Sequence, residues 1–255
     1  MSIAMRVVRS IVDAVRVEKR RKRAAIQVIE AQNSKHNPAH HQPSAELKRY
    51  HIGCGPILAD GFLNIDGDFE CFEKRLKSGV LYAVDGKPST YILKHDLRSG
   101  IPAAANSLQI IYHSHFLEHL ADQEGMVLIS ECHRCLAPGA LMRFAVPDFR
   151  LWCTNYLTGK NDFFDWYRQT YLADNKVRYK TNASVFMGML YNWGHRMAYD
   201  YESLSVLLTR AGFANVKHAE WGTSDNIPEI SSVESATSHR RLESLVIECT
   251  KAVSP

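Results

Sequence analysis

The chain of 255 residues contains no run of about 20 uncharged apolar residues, so no segment reads as a membrane span. Its first residues offer no unbroken apolar stretch either: Arg6, Arg9, Asp13 and Arg16 interrupt it, which argues against a secretory signal. Six cysteines, at positions 54, 71, 132, 135, 153 and 249, are too scattered for a disulfide scaffold. In a chain of this length without an export signal they read as reduced thiols of a cytoplasmic protein. Cys132-His133-Arg134-Cys135 is the only CxxC, and no second pair exists to complete a zinc site, so its expected role is structural. Net charge is also scarce, at +4, and unevenly placed. Residues 1–35 hold nine Lys/Arg against three Asp/Glu, leaving 22 against 24 in the remainder. The body therefore carries no electrostatic sign of a nucleic-acid partner.

What is present begins with a basic segment. Ile3, Val7, Ile11 and Val15 recur every four residues beside Val8 and Val12, with Arg6, Arg9 and Arg16 off the stripe. Lys19 to Arg23 is uninterrupted positive charge, and residues 33–44, with two prolines and three histidines, read as a linker. Residues 1–45 are thus expected to form a basic amphipathic helix and linker. Two readings of it stay open: peripheral contact of residues 3–23 with an anionic membrane surface, and a solvated or self-packing helix. A transit peptide is opposed by Asp13 and Glu18.

From residue 46 to the end the pattern becomes alternating β and α. Strands are expected at Arg49–Ile52, Phe62–Asp66, Tyr91–Lys94, Leu108–His113 and Ala140–Val146, the last entered through Ala137-Pro138-Gly139. A helix is expected from Phe116, and another over Tyr201–Ala211, stopped by Gly212. Two further strand candidates lie near Val216–Glu220 and Leu245–Cys249. This alternation predicts an α/β fold, a parallel sheet with helices on both faces. Residues 148–197, helical and rich in aromatics, form an insertion after the fifth strand, a natural place for a lid.

Open α/β sheets bind ligands at the carboxyl ends of their strands. Gly53 and Gly55, flanking Cys54, let backbone approach a ligand. Asp66 closes the second strand and suits ribose hydroxyls; Asp96 and the Leu97 backbone follow the third and suit an adenine. His113, Ser114 and His115 follow the fourth. A dinucleotide is disfavoured, because the loop lacks a third glycine and the acid arrives early at Asp66.

Taken in order, His51-Ile52-Gly53-Cys54-Gly55, Gly61-Phe62-Leu63-Asn64-Ile65-Asp66, His95-Asp96-Leu97 and Ser114-His115-Phe116-Leu117-Glu118-His119-Leu120 resemble the successive motifs of type-11-like class I methyltransferases. The likeness runs on through Leu136-Ala137-Pro138-Gly139, Val146-Pro147-Asp148 and Ala211-Gly212-Phe213 to His239-Arg240-Arg241, covering nearly all of residues 48–250. Ala140 departs from it, standing where a second glycine is common, and Ser78–Thr90 has no counterpart. The resemblance implies a Rossmann-like sheet and S-adenosylmethionine as cofactor. It is nearest to methyltransferases tied to bacterial surface-polysaccharide synthesis, which implies a small-molecule or glycan acceptor.

Methyl transfer to a hydroxyl benefits from a general base, and histidine is the side chain best poised for that role. His195 is the expected base and His115 is expected to line the site, with Trp193, Arg196 and Tyr199 forming the acceptor cleft. His115, Glu118 and His119, spaced i, i+3, i+4, would share one helix face and with His195 could make a four-ligand metal site. Small-RNA 2′-O-methyltransferases have a similar Glu-x-x-Glu-His helix that holds a metal. Here the first acid is His115, so the Glu118-His119 pair is read instead as ordering the loop without a metal. The alternatives to a sugar O-methyltransferase are a metal-assisted RNA 2′-O-methyltransferase and a catalytically silent methyltransferase-like binding subunit.

Overall fold

The computed structural model describes residues 47–67, 76–173 and 178–253. The basic helix and linker expected over residues 1–45, the proposed membrane contact at 3–23 and Cys71 lie outside the described residues. No helix among the described residues is long and apolar enough to cross a membrane.

Eight strands make one sheet: β1 (Arg49–Ile52), β2 (Leu63–Asp66), β3 (Leu81–Ala83), β4 (Tyr91–Lys94), β5 (Leu108–Ser114), β6 (Leu136–Pro147), β7 (Phe213–His218) and β8 (Ser244–Lys251). Their order across the sheet is β3-β4-β2-β1-β5-β6-β8-β7. From β4 to β6 neighbouring strands are parallel; β3 and β8 run against their neighbours. The chain travels outward from β1 to β4, then returns to the other side of β1 with β5. That reversal creates the switch-point crevice at the carboxyl ends of β1 and β5. The α/β, Rossmann-like expectation holds. Residues 78–90, without a counterpart in the sequence comparison, build the antiparallel edge strand β3.

Strand alternation sends Tyr50, Ile52, Leu63, Ile65, Met142, Phe144 and Val146 to one face. There they meet α1 (Asp122–Cys135) through Leu128, Ile129, Cys132 and Cys135, and α5 (Tyr201–Arg210) through Leu204 and Leu208. Both thiols of the CxxC are buried in this core, with burial pushing them up from their ordinary range.

The opposite face mixes an apolar cluster of Tyr112, Leu141, Phe62, Ile227 and Ile230 with buried polar groups, and among the described residues it is covered by the β1–β2 connection and by turns of the segment 219–243. Arg143, fully buried, donates to Glu234 at 2.9 and 2.5 Å and to Glu248 at 2.9 Å. A fourth bond runs from Arg143 to the Glu220 carbonyl at 2.7 Å. Nearby, Asn64 accepts from the Ala59 amide and donates to the carbonyls of Ala59, Phe62 and Tyr91. That staple holds residues 53–62, the β1–β2 connection, which contains no helix.

Between β6 and β7 the insertion folds as α2 (Phe149–Leu157), α3 (Asn161–Tyr171) and α4 (Asn182–Tyr191). Asp148 caps α2 by accepting from the Leu151 amide, and Thr181 caps α4. Trp152, Phe164, Tyr167, Val185 and Met189 form a core of their own under these helices.

Two local expectations are corrected. No helix starts at Phe116: His115 has φ of 51°, a short 3-10 turn spans Leu117–His119, and α1 begins only at Asp122. The extended backbone of Leu120 and Ala121 ends that turn and separates it from α1. The turn expected at Ala137 to Gly139 lies inside β6 rather than before it: the pairing jumps from Leu108–Leu136 to Ile110–Leu141, and Gly139 has φ of 78°.

Candidate functional site

At the carboxyl edge of the sheet lies a cavity of about 650 Å³. Its walls include Asp66 and Gly67 after β2, Asp96, Leu97 and Arg98 after β4, and Phe116 and His119 after β5. Gln123, Glu124 and Val127 of α1, together with Arg196, close it. This size suits a nucleoside-bearing ligand.

The glycine loop is not itself in the cavity wall; it lies behind two residues that are, Phe116 and Asp66. Gly53 and Gly55 have φ of 60° and 52°, a region that costs ordinary side chains about 1 kcal/mol or more. A Cβ on Gly53 would overlap the Phe116 ring, which lies directly on it. The Gly55 amide donates to Asp66 Oδ2 at 2.8 Å, so the acid at the end of β2 also sets the loop's conformation. The Cys54 side chain packs away from the cavity, in the small cluster of Leu76, Tyr82, Val84 and Ile92.

Asp96 reaches the cavity but is engaged. It caps the turn at Leu97 by accepting from the Arg98 amide at 3.0 Å. It is also gripped by the Arg98 guanidinium, which holds its carboxyl below the usual range. A contact from Asp96 to an adenine requires Arg98 to move aside. Arg196, expected in the acceptor cleft, stands at the cavity rim paired to Glu124 at 2.7 Å.

Beyond His119 the cavity meets a cluster of imidazoles and carboxylates. Glu118 is 1% exposed. His115 Nδ1 lies 3.3 Å from Glu118 Oε1, an ion-pair distance, and His115 Nε2 lies 2.7 Å from Ser244 Oγ. His195 Nδ1 meets the Met189 carbonyl at 2.7 Å; a carbonyl only accepts, so Nδ1 carries the proton and Nε2 the lone pair. The His119 and His195 rings sit edge to face, centroids 4.8 Å apart. Burial lowers the pKa of both His115 and His195, keeping them neutral. For Glu118 burial acts upward, but His115 and His119 outweigh it and its carboxyl falls below the usual range.

Three expected site residues are placed elsewhere. His113 points into the sheet's helical face, fully buried and stacked on Phe144, because alternation along β5 turns it inward. Burial lowers its pKa to about 3. Ser114 follows it, half-buried, and is not part of the cavity wall. Tyr199 is buried in the main core, its hydroxyl against Gly125 of α1, rather than in the acceptor cleft. Trp193 does face outward, 49% exposed with φ of 58°, its ring near Tyr167, Tyr171 and His195.

Sequence reasoning missed Phe116 as the floor beneath Gly53, and Glu243. The latter precedes β8, whose reversed direction delivers its start to the same edge as the ends of β5 and β6. Burial pushes the Glu243 carboxyl up to about 8, against a hydrogen bond from Tyr171 and the charge of Arg240. Unfolded, this acid ionises near about 4.3. Between these values the folded chain holds a proton that the unfolded chain has lost, so stability falls as pH rises from about 4.3 towards 8. Denaturant melts across that window should show a loss approaching about 1.4 kcal/mol per pH unit, flattened in Glu243→Gln. An identical slope in the variant would assign the dependence to other groups.

No protein-family profile and no curated protein sequence matches the chain. Among solved structures it resembles a SAM-dependent methyltransferase from Methanosarcina mazei at 16% identity, with 87% of this chain and 100% of that one covered and a TM-score of 0.44. One from Archaeoglobus fulgidus matches at 15% identity over 80% and 86%, with a TM-score of 0.43. One from Thermotoga maritima matches at 14% identity, spanning 63% of each chain, with a TM-score of 0.35. These are distant likenesses of fold, and the chemistry of the site stands on its own geometry.

Proposed function

We propose that the chain is an S-adenosylmethionine-dependent methyltransferase acting on a hydroxyl. The observation that carries this reading is one cavity bounded by Asp66, with its grip on the Gly55 amide, and by Asp96-Leu97, opening at its far end onto His119 and the imidazole cluster. The residues present fit this cofactor. Asp66 offers acceptors for ribose hydroxyls, the positive-φ glycines allow close backbone approach, and Leu97 and Phe116 supply apolar contact. S-adenosylmethionine, when bound, supplies a methyl group whose bond to the sulfonium breaks as one to the acceptor oxygen forms, the sulfur keeping the electron pair.

The chain's own share is positioning and the proton. Rate in an in-line displacement comes largely from holding the acceptor aligned. His195 presents a neutral Nε2 lone pair where a hydroxyl entering past Trp193 would meet it, and Met189 fixes the ring's orientation. A sugar or polysaccharide acceptor follows from the resemblance in sequence motifs, and the imidazole cluster suits a hydroxyl.

Calorimetric titration with S-adenosylmethionine tests the core of the reading: saturable binding to the purified chain is expected, and its absence would overturn it. Against nucleotide sugars and glycans as acceptors, His195→Ala should retain that binding while turnover falls by roughly 10²–10⁴-fold. Full turnover in the variant would remove His195 from the chemistry.

A further inference from the structure

The most unusual charge in the molecule is Glu118. It is almost wholly buried and neither carboxylate oxygen has a hydrogen-bond partner. His115 Nδ1, at 3.3 Å, lacks hydrogen-bond alignment with it. A buried carboxylate without a hydrogen-bond partner is costly, by several kcal/mol in order of magnitude, unless a cation meets it.

What surrounds it is a set of metal donors. Glu118, His119 and His195 each offer a ligand atom, and these atoms lie within 4.8 Å of one another. Bond lengths of about 2.0–2.2 Å to such donors would place them roughly 3–4 Å apart, a contraction side-chain rotation supplies. His195 is already oriented as metal-binding histidines are, its Nδ1 proton on a backbone carbonyl and its Nε2 lone pair outward. His115 stands behind the carboxylate, between Glu118 and Ser244 Oγ, in the place of an outer-shell partner.

We propose that Glu118, His119 and His195 bind one first-row divalent transition-metal ion, with His115 as a positioning residue that aims Glu118. Two imidazoles and one carboxylate are a borderline donor set suited to Zn²⁺ and its neighbours rather than to Mg²⁺ or Ca²⁺. Three protein ligands leave open positions for water or an acceptor oxygen. Because His119 belongs to both the triad and the cavity wall, the ion would lie at the boundary between cofactor and acceptor. With the ion in place, the Nε2 lone pair of His195 is committed to it. A hydroxyl bound to the ion then loses its proton to water more readily, as metal-bound water does. This use of the ion rests on the methyltransferase reading; the ion's binding does not.

The test uses the full chain, stripped with a chelator and titrated with Co²⁺, whose visible absorption reports coordination, and with Zn²⁺ by metal analysis after dialysis. One ion per chain is expected at this site, together with a Zn²⁺-dependent rise in melting temperature. Glu118→Gln and His119→Ala should each lose the ion and its spectrum, and His195→Ala, on the half-buried side, provides the same reading if either of those fails to fold. His115→Ala should weaken binding by about 10–100-fold without abolishing it. Replacing His36, His40 and His41 together should leave the Co²⁺ spectrum unchanged. Wild type that binds no ion, or that binds Co²⁺ with the same spectrum as Glu118→Gln and His119→Ala, would overturn the proposal. Neither result depends on S-adenosylmethionine binding, so failure of one reading is distinguishable from failure of the other.

Discussion

Asp66→Ala is expected to reduce S-adenosylmethionine binding by at least about 100-fold, two lost hydrogen bonds to a charged group at about 1.5–3 kcal/mol each. The size follows from a double duty. The carboxylate borders the cavity and accepts from the Gly55 amide at 2.8 Å, so its removal takes away a ligand contact and loosens the loop beside it. Asp66→Asn keeps an oxygen that can still accept from Gly55 while losing the charge. It should fall between wild type and Asp66→Ala in a calorimetric titration. Affinity unchanged in Asp66→Ala would mean that the ligand lies elsewhere. Equal loss in both variants would mean that the charge, rather than the loop, sets the affinity.

A second large effect is expected far from the cavity. Arg143→Ala should destabilise the fold by about 3–5 kcal/mol, because Glu234 is left buried without its cation and Glu248 keeps only Lys217 at 3.5 Å. For a chain of this size that is a fall in melting temperature on the order of 10 °C. Replacing all three with apolar residues of similar volume should recover much of the loss, since a missing triad costs less than a broken one. A melting temperature within about 2 °C of wild type in Arg143→Ala would show that water reaches the carboxylates. The same variant should expose the segment 219–243 to proteolysis first. Glu220, Gly222, Ser224 and Glu234 are tied to the sheet through this triad.

Much of the architecture was legible because it is local. Short apolar runs ending in or just before a glycine or an acid mark β1, β2 and β4, and strand ends are where Gly53, Gly55, Asp66, Asp96 and Leu97 must lie in an open parallel sheet. What escaped depends on tertiary direction. Glu243 and Ser244 reach the site only because β8 runs antiparallel, a fact that pairing decides and periodicity does not. The spacing of His115, Glu118 and His119 suggested a shared helix face. The chain brings Glu118 and His119 together with His195 on a 3-10 turn instead, after His115 takes a left-handed conformation. His113 and Tyr199 were placed by motif and by proximity in sequence, whereas strand alternation and packing against α1 carry both into the core. Conversely, the meeting of Glu118 and His119 with His195 was anticipated despite their distance in the chain, and the insertion closes that cluster. The amides of Arg196 and Met197 bond the Glu118 carbonyl and so deliver His195 to it.

The helix-free connection between β1 and β2 has a consequence for which ligands the crevice can hold. In nucleotide sites of the dinucleotide type, a glycine loop opens a helix whose first turn presents roughly half a positive charge to a pyrophosphate. Here the loop at residues 53–62 is pinned by Asn64 instead, and no helical pole faces the cavity from that side. An anionic phosphate chain finds no helical pole in that loop, and the wall's guanidiniums, Arg98 and Arg196, are already paired to Asp96 and Glu124, while a ligand carrying its own positive charge meets Asp66. For a sulfonium compound that bias would reverse on turnover. The departing thioether is neutral, so the pocket would hold its product less tightly than its substrate, and release would be built into the same absence that turns dinucleotides away.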